Sequence, residues 1–209
     1  MIHIGTTNPG KVREIASLLA PLGIDVGTLS LDIPEPWDTI AQNAAEKARA
    51  YAAHTGGVVL AEDSGLFVSA LGDLPGPWSA RYCDVDPVTR KETPTSRNRA
   101  ETDRLNNEKV LRDLTGVPIE RRAAQFRICL VVRDPAHELF RVETSYSGWI
   151  ADAPRGDNGF GYDAIFIGAD TFGKTLAEID AHRKNLRSHR KMAMDALYTW
   201  ASQHLDVLT

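Results

Sequence analysis

The segment "GTTNPGKVREI" places Gly5, Gly10 and Lys11 at the spacing of a P-loop, G-x-x-x-x-G-K, but the next residue is Val12, where such a loop carries Ser or Thr. The missing hydroxyl is the one that would hold magnesium beside a bound triphosphate. Thr6, Thr7, Asn8 and Lys11 still gather short polar groups and a cation at the start of a helical segment, where unpaired amides also favour anions. A cradle of this kind needs its metal held elsewhere. Glu62 and Asp63 follow the apolar run "GVVLA" and supply adjacent carboxylates, placed at a strand end where open α/β sheets bind ligands. Mg2+ takes one or two carboxylates together with substrate phosphate and water. Each feature has a plainer reading, a helix start at Asn8-Pro9-Gly10 and a solvated acidic strand end. Together they favour a triphosphate.

The elements that must position these residues alternate. "MIHIG" reads as a strand and "NPGKVREIASLLAPLG" as a helix, with Pro9 suited to its first turn and Val12, Ile15, Ala16, Leu18 and Leu19 close to one face. "IDVGTL" suggests a second strand. An alanine-rich helix starts at Thr39 and stops at Gly56, and the strand "VVLA" follows, ending at "EDSG". "TSRNRAETDRLNNEKVLRDLTG" reads as a polar helix or helix pair, exposed along most of its length. The pattern then changes to two long strand candidates, "RAAQFRICLVVRD" and "ELFRVETSYSGWI", forming a hairpin around "PAH". A glycine-rich loop, "APRGDNGFGYDAIF", enters a short strand, and "RSHRKMAMDALYTWASQHL" closes the chain as a helix. This order predicts an α/β fold with an antiparallel ribbon, in one domain over residues 1–209.

The 209 residues are 43% hydrophobic and 25% charged, with a formal net charge of -4, which provides no broad field for attracting nucleic acid. The opening lacks a signal peptide's basic region and apolar run, and no later segment approaches a membrane span, so a cytoplasmic location is expected. Cys83 and Cys129 are too few and too far apart for a disulfide framework or a zinc site.

Several segments, taken in order, resemble the inosine triphosphate pyrophosphatases. "TTNPGKVREI" is similar to that family's T-x-N-x-x-K-x-x-E opening, and "TIAQNAAEKARA" to its T-x-x-E-N-A-x-x-K-A helix. "AEDSGLFVSALGDLPGPWSARY" resembles its A-D-D-S-G-L segment, while "NGFGYDAIF" and "SHR" resemble G-F-G-Y-D-P-I-F and the late S-H-R. The resemblance implies hydrolysis of nonstandard purine nucleoside triphosphates such as ITP, dITP and XTP to monophosphate and pyrophosphate, with Mg2+. It also implies an elongated mixed sheet flanked by helices, two lobes with the nucleotide in the cleft between them, and a homodimer. Thr6, Asn8 and Lys11 match its triphosphate loop and Lys47 a second phosphate lysine. Asp63 matches the catalytic carboxylate that binds metal or activates water, and Ser64 a nucleotide contact. Phe160, Gly161, Tyr162 and Asp163 match the base-binding loop, Lys184 another nucleotide lysine, and His189 and Arg190 the purine-recognition pair.

The side-chain chemistry agrees with those roles. Phe160 offers a flat face, and stacking on an aromatic contributes about 1–3 kcal/mol per base. Arg190 can donate to a 6-keto oxygen, whereas an adenine amino group would set donors against donors. Two departures fall on the metal site: Gln42 stands where the family has glutamate, and Glu62 where it has aspartate. Gln42 keeps an oxygen ligand without the charge, and it also completes a capping box in which it reaches back to the Thr39 amide. Glu46, one turn on, is placed to restore the charge. Ala164 and Lys191 also depart, from proline and glycine. These departures leave open a nucleotide-binding protein with weak or no hydrolysis, and a P-loop ATPase is a third reading that Val12 disfavours.

Overall fold

The computed structural model describes residues 1–6, 9–86, 88–89, 91–93, 95–180 and 188–208. Its strands are β1 (Ile2–Gly5), β2 (Val26–Leu29), β3 (Val59–Val68), β4 (Leu74–Pro75), β5 (Ala123–Arg133), β6 (Glu138–Ile150) and β7 (Phe166–Gly168). Its helices are α1 (Pro9–Leu19), α2 (Ile40–Thr55), α3 (Arg99–Asp113), α4 (His189–Gln203) and the short α5 (Leu205–Leu208). The seven strands form one mixed sheet in the order β2-β1-β3-β5-β6-β7, with β4 paired to β3. β1 pairs in parallel with both β2 and β3, so each of these neighbours is reached by a helical crossover.

Two compact units share the chain. The first comprises Met1–Asp63, Ile128–Thr144 and His189–Thr209, and the second Ser64–Arg127 and Ser145–Ser188. Strands β3, β5 and β6 run from one unit into the other. In the first unit Ile2 and Ile4 of β1, Leu60 of β3 and Leu130 and Val132 of β5 pack with Ile15 and Leu19 of α1 and Met194, Leu197 and Ala201 of α4. Full burial of such a side chain stabilises by about 1.5–3 kcal/mol. The second unit has its own core, with Leu66, Val68, Ala124, Ile150 and Phe166 from strands against Val110 and Leu114 of α3, together with Tyr82 and Tyr162.

Local chemistry explains most element boundaries. The Thr39 hydroxyl accepts the Gln42 amide at 3.1 Å to start α2, and Gly56 ends it, as the sequence pattern requires. The capping box is not reciprocal: Gln42 Oε1 accepts from the Thr39 hydroxyl at 3.2 Å rather than from its amide. β5 and β6 form the expected hairpin across residues 134–137, where the Asp134 carboxylate accepts two amides at 2.6 Å.

Two expectations are revised. β3 does not stop at Ala61 but continues through Glu62 and Asp63 to Val68. Its partner β1 pairs only as far as Ala61, so the carboxylates stand beyond the carboxyl end of β1 instead of at the end of their own strand. And α3 is a single helix with a buried polar face, on which Asn106, Asn107 and Lys109 are at most 8% exposed. Backbone carbonyls compensate that burial: Lys109 Nζ donates to Tyr82 O at 2.9 Å and to Val85 O, and Asn106 Nδ2 donates to Ser79 O at 3.2 Å.

Candidate active site

In the first unit, α2 turns Asn43 and Lys47, four residues apart and therefore on one face, toward β3. Asn43 Nδ2 donates to Asp63 Oδ2 at 2.9 Å while its own Oδ1 accepts the Trp37 amide at 3.3 Å, which fixes both the amide and the carboxylate. Lys47 Nζ donates to the Glu62 carbonyl at 3.1 Å and pairs with Glu35. Lys11, in the first turn of α1, reaches Glu62 Oε1 at 2.6 Å. Arg190, at the start of α4, contacts Glu62 Oε1 and Oε2 at 2.5 and 2.6 Å through Nη1, and Glu14 Oε2 at 2.5 Å through Nε.

Glu62 is therefore a buried anion between two cations. Burial by itself would raise its carboxyl, but attraction to Lys11 and Arg190 and hydrogen bonds from both outweigh that and hold it at about 2. Asp63, one residue on, is 9% exposed. Gly5 has a structural role in addition to any ligand: a Cβ there would stand 2.8 Å from Tyr51 Cδ2, so the ring's approach requires glycine. Val12 lines an open cavity of about 240 Å3 together with Thr6, Thr28, Leu29 and Ser30, at the carboxyl ends of β1 and β2.

In the second unit the loop before β7 presents one aromatic and buries the other. Phe160 is 74% exposed and Tyr162 only 5%. The Tyr162 hydroxyl donates to Ser79 O at 2.8 Å, and burial pushes its pKa well above the usual phenol range. Asp163 folds back so that its Oδ2 accepts the Phe160 amide at 2.8 Å. Gly159 has φ +82 and a Cβ there would fall 2.2 Å from Asp163 Oδ2, so both conformation and space exclude a side chain.

The sequence-predicted residues thus fall into separate groups. Lys11, Lys47, Glu62, Asp63 and Arg190 are joined through β3 in the first unit, and Thr144 donates to the His189 carbonyl at 2.5 Å. Ser64 follows Asp63 on β3, and Phe160, Gly161, Tyr162 and Asp163 form the loop of the second unit. Thr7, Asn8 and Lys184 lie outside the described residues. Gln42 is exposed and engaged with Thr39, and Glu46 pairs with Arg49 at 2.6 Å. Asn43 is the helix residue that reaches Asp63, and sequence reasoning gave it no role. Its signal was a polar amide on the buried Ile40-Ala44-Ala48 face of an alanine-rich helix.

A hard cation fits this donor set only with help from substrate. Among the described residues no group of three or more Asp, Glu, His or Cys side chains converges to form a protein cage. One carboxylate completed by phosphate oxygens and water is an arrangement that Mg2+ uses. Asp63 suits that role. Glu62, one residue earlier on the same strand, directs its side chain to the opposite face, toward Lys11 and Arg190.

The sequence pattern of the Ham1 family matches residues 2–200. A dITP/XTP pyrophosphatase of Streptococcus mutans is 42% identical over 97% of this chain, which spans 61% of that protein's length. One from Geobacillus kaustophilus is 42% identical over 94% of this chain and 91% of its own. Among solved structures, a HAM1 protein from Coxiella burnetii superimposes with a TM-score of 0.81 at 31% identity, covering 97% of this chain and 98% of that one.

Proposed function

This chain belongs to the Ham1 family, and we propose that it hydrolyses nonstandard purine nucleoside triphosphates, ITP, dITP and XTP, to the monophosphate and pyrophosphate. The observation that carries this is the convergence of Lys11, Lys47 and the Asn43-anchored Asp63 on one stretch of β3. Lys11 and Lys47 are paired with carboxylates that a triphosphate would replace, and as point charges they would neutralise the leaving pyrophosphate. Asp63 would orient and deprotonate the water that attacks the α-phosphorus. The bond from that phosphorus to the bridging oxygen breaks, and pyrophosphate leaves. Mg2+, held by Asp63 with phosphate oxygens and water, would supply charge neutralisation at the phosphates.

Phe160 is the proposed stacking face for the base. Arg190 Nη2, buried and without a hydrogen-bond partner among the described residues, is a donor suited to a 6-keto oxygen. Its other nitrogens are held by Glu14 and Glu62, which fixes the fork. The same reading carries a homodimer working on the free nucleotide pool of the cytoplasm.

A screen of nucleoside triphosphates tests the proposal. Pyrophosphate should appear from dITP and XTP, far more slowly from dATP, and the activity should vanish when EDTA removes Mg2+. Tight binding of dITP without turnover would instead establish a binding protein, a reading the pyrophosphatase relatives weigh against. Cleavage of ATP to ADP and phosphate would revive the P-loop reading.

The exposed position of Gln42 makes a further expectation. Gln42→Glu should change the Mg2+ concentration for half-maximal rate by less than about threefold, because the side chain is held in the first turn of α2 by Thr39. A tenfold fall in that concentration, a change of about 1.4 kcal/mol, would make position 42 a metal ligand after all.

A further inference from the structure

We infer that Asp103 and Asn107 of α3 are positioning residues that set the attitude of Phe160 by engaging the Gly161 N–H and C=O beside it, so that this loop holds a purine by its flat face and offers no free backbone N–H to a 6-keto oxygen. The inference rests on the proposed stacking role of Phe160. Asp103 and Asn107 are four apart and share a helix face. Asp103 Oδ2 accepts the Gly161 amide at 2.9 Å, and Asn107 Nδ2 donates to the Gly161 carbonyl at 2.9 Å. One residue is therefore gripped at both its polar groups, which fixes the two successive peptide planes that carry the neighbouring ring. Arg99, one turn before Asp103, holds its other oxygen at 2.9 Å. The row 99-103-107 is a rigid helical support under a loop whose glycine adopts φ +62.

The Phe160 backbone groups are engaged as well. The Phe160 amide goes to Asp163 Oδ2 at 2.8 Å, and the Phe160 carbonyl accepts the Asp163 amide at 3.3 Å. Residues 160 and 161 thus hold no backbone N–H uncommitted to the protein. A 6-keto oxygen placed against them meets no free backbone N–H, while the ring stays 74% exposed. Stacking tolerates every base because every base has a π-face. The loop supplies affinity, and discrimination between keto and amino purines must come from other residues.

Steady-state kinetics on the full chain test this. Asp103→Ala and Asn107→Ala should each raise KM for dITP about tenfold, within the range of a lost stacking contact, with kcat little changed. Asp103→Asn keeps an acceptor for the Gly161 amide and should restore KM to within about threefold of the parent. Competitive inhibition by inorganic tripolyphosphate, which has no base, should stay within about twofold in every variant, as expected for separate sites. The ratio of kcat/KM for dITP to that for dATP should not move. Thermal melts accompany each variant, and Asn107→Ser serves if Asn107→Ala does not fold. Unchanged KM in the Asp103 and Asn107 variants, alongside a raised KM in Phe160→Ala, would overturn the positioning role and leave the stacking face standing. Unchanged KM in Phe160→Ala would overturn the stacking face itself. A collapse of the dITP to dATP ratio in any loop variant would show that the loop reads the base edge, against the inference.

Discussion

Asp63→Asn should lower kcat for pyrophosphate release by about a thousandfold while KM for dITP moves little, as expected when a positioned base and metal ligand is neutralised. The substitution is nearly isosteric, and Asn43 Nδ2, at 2.9 Å from Oδ2 of the present carboxylate, can donate to the new carbonyl oxygen just as well. The fold should therefore persist, with a melting temperature close to the parent's. The contrast with Glu62 makes the test specific. Arg190 engages both oxygens of Glu62, and the Glu62 side chain leaves β3 on the face opposite Asp63, so it does not take over the Asp63 position even when a triphosphate draws Lys11 away. Retention of rate with unchanged Mg2+ dependence in Asp63→Asn would mean that the chemistry uses a different carboxylate.

The legible parts of the fold were those fixed by local chemistry. Thr39 and Gly56 mark the limits of α2 because capping and a left-handed stop are decided within a few residues. The β5-β6 hairpin was legible for the same reason, since its alternation and its Asp134 turn are both local. The end of β3 was not, because "EDSG" resembles a turn and only the neighbouring strands, β1 as far as Ala61 and β4 at Phe67 and Val68, reveal that the strand continues. The buried face of α3 was hidden for a related reason: the carbonyls that satisfy Asn107 and Lys109 belong to Gly161, Tyr82 and Val85, far away in sequence. The same holds within the site. Residue type and spacing single out Asp63 and Lys11 as candidates, but the locking of Arg190 between Glu14 and Glu62 depends on a helix more than a hundred residues from either carboxylate. Sequence spacing could assign Arg190 a donor role and could not show which of its nitrogens are already used.

Glu62→Gln should destabilise the protein by about 3 kcal/mol at pH 7, because removing one partner of a buried ion cluster leaves the others unpaired. The glutamate side chain is 2% exposed, and its partners Arg190 and Lys11 are 18% and 30% exposed. Glutamine would set an amide donor against their donors, and Glu14 would remain to neutralise only Arg190. For a chain of this size the melting temperature should fall by about 6–12 °C. The pH dependence identifies the cause. The Glu62 carboxyl is held at about 2 in the folded protein against 4.5 as its ordinary value, so it favours folding fully above about pH 4.5. That contribution is lost as pH falls from 4.5 toward 2, where both states bind the proton. Denaturant titrations of parent and variant at pH 7, 4.5 and 3 should therefore show a constant stability gap down to about pH 4.5 and a shrinking one below it. A gap that is equally wide at pH 3 and pH 7 would assign the loss to packing. A gap absent at pH 7 would mean that Lys11 and Arg190 are solvated well enough to stand without the carboxylate, and Glu62 would then be available to a metal ion.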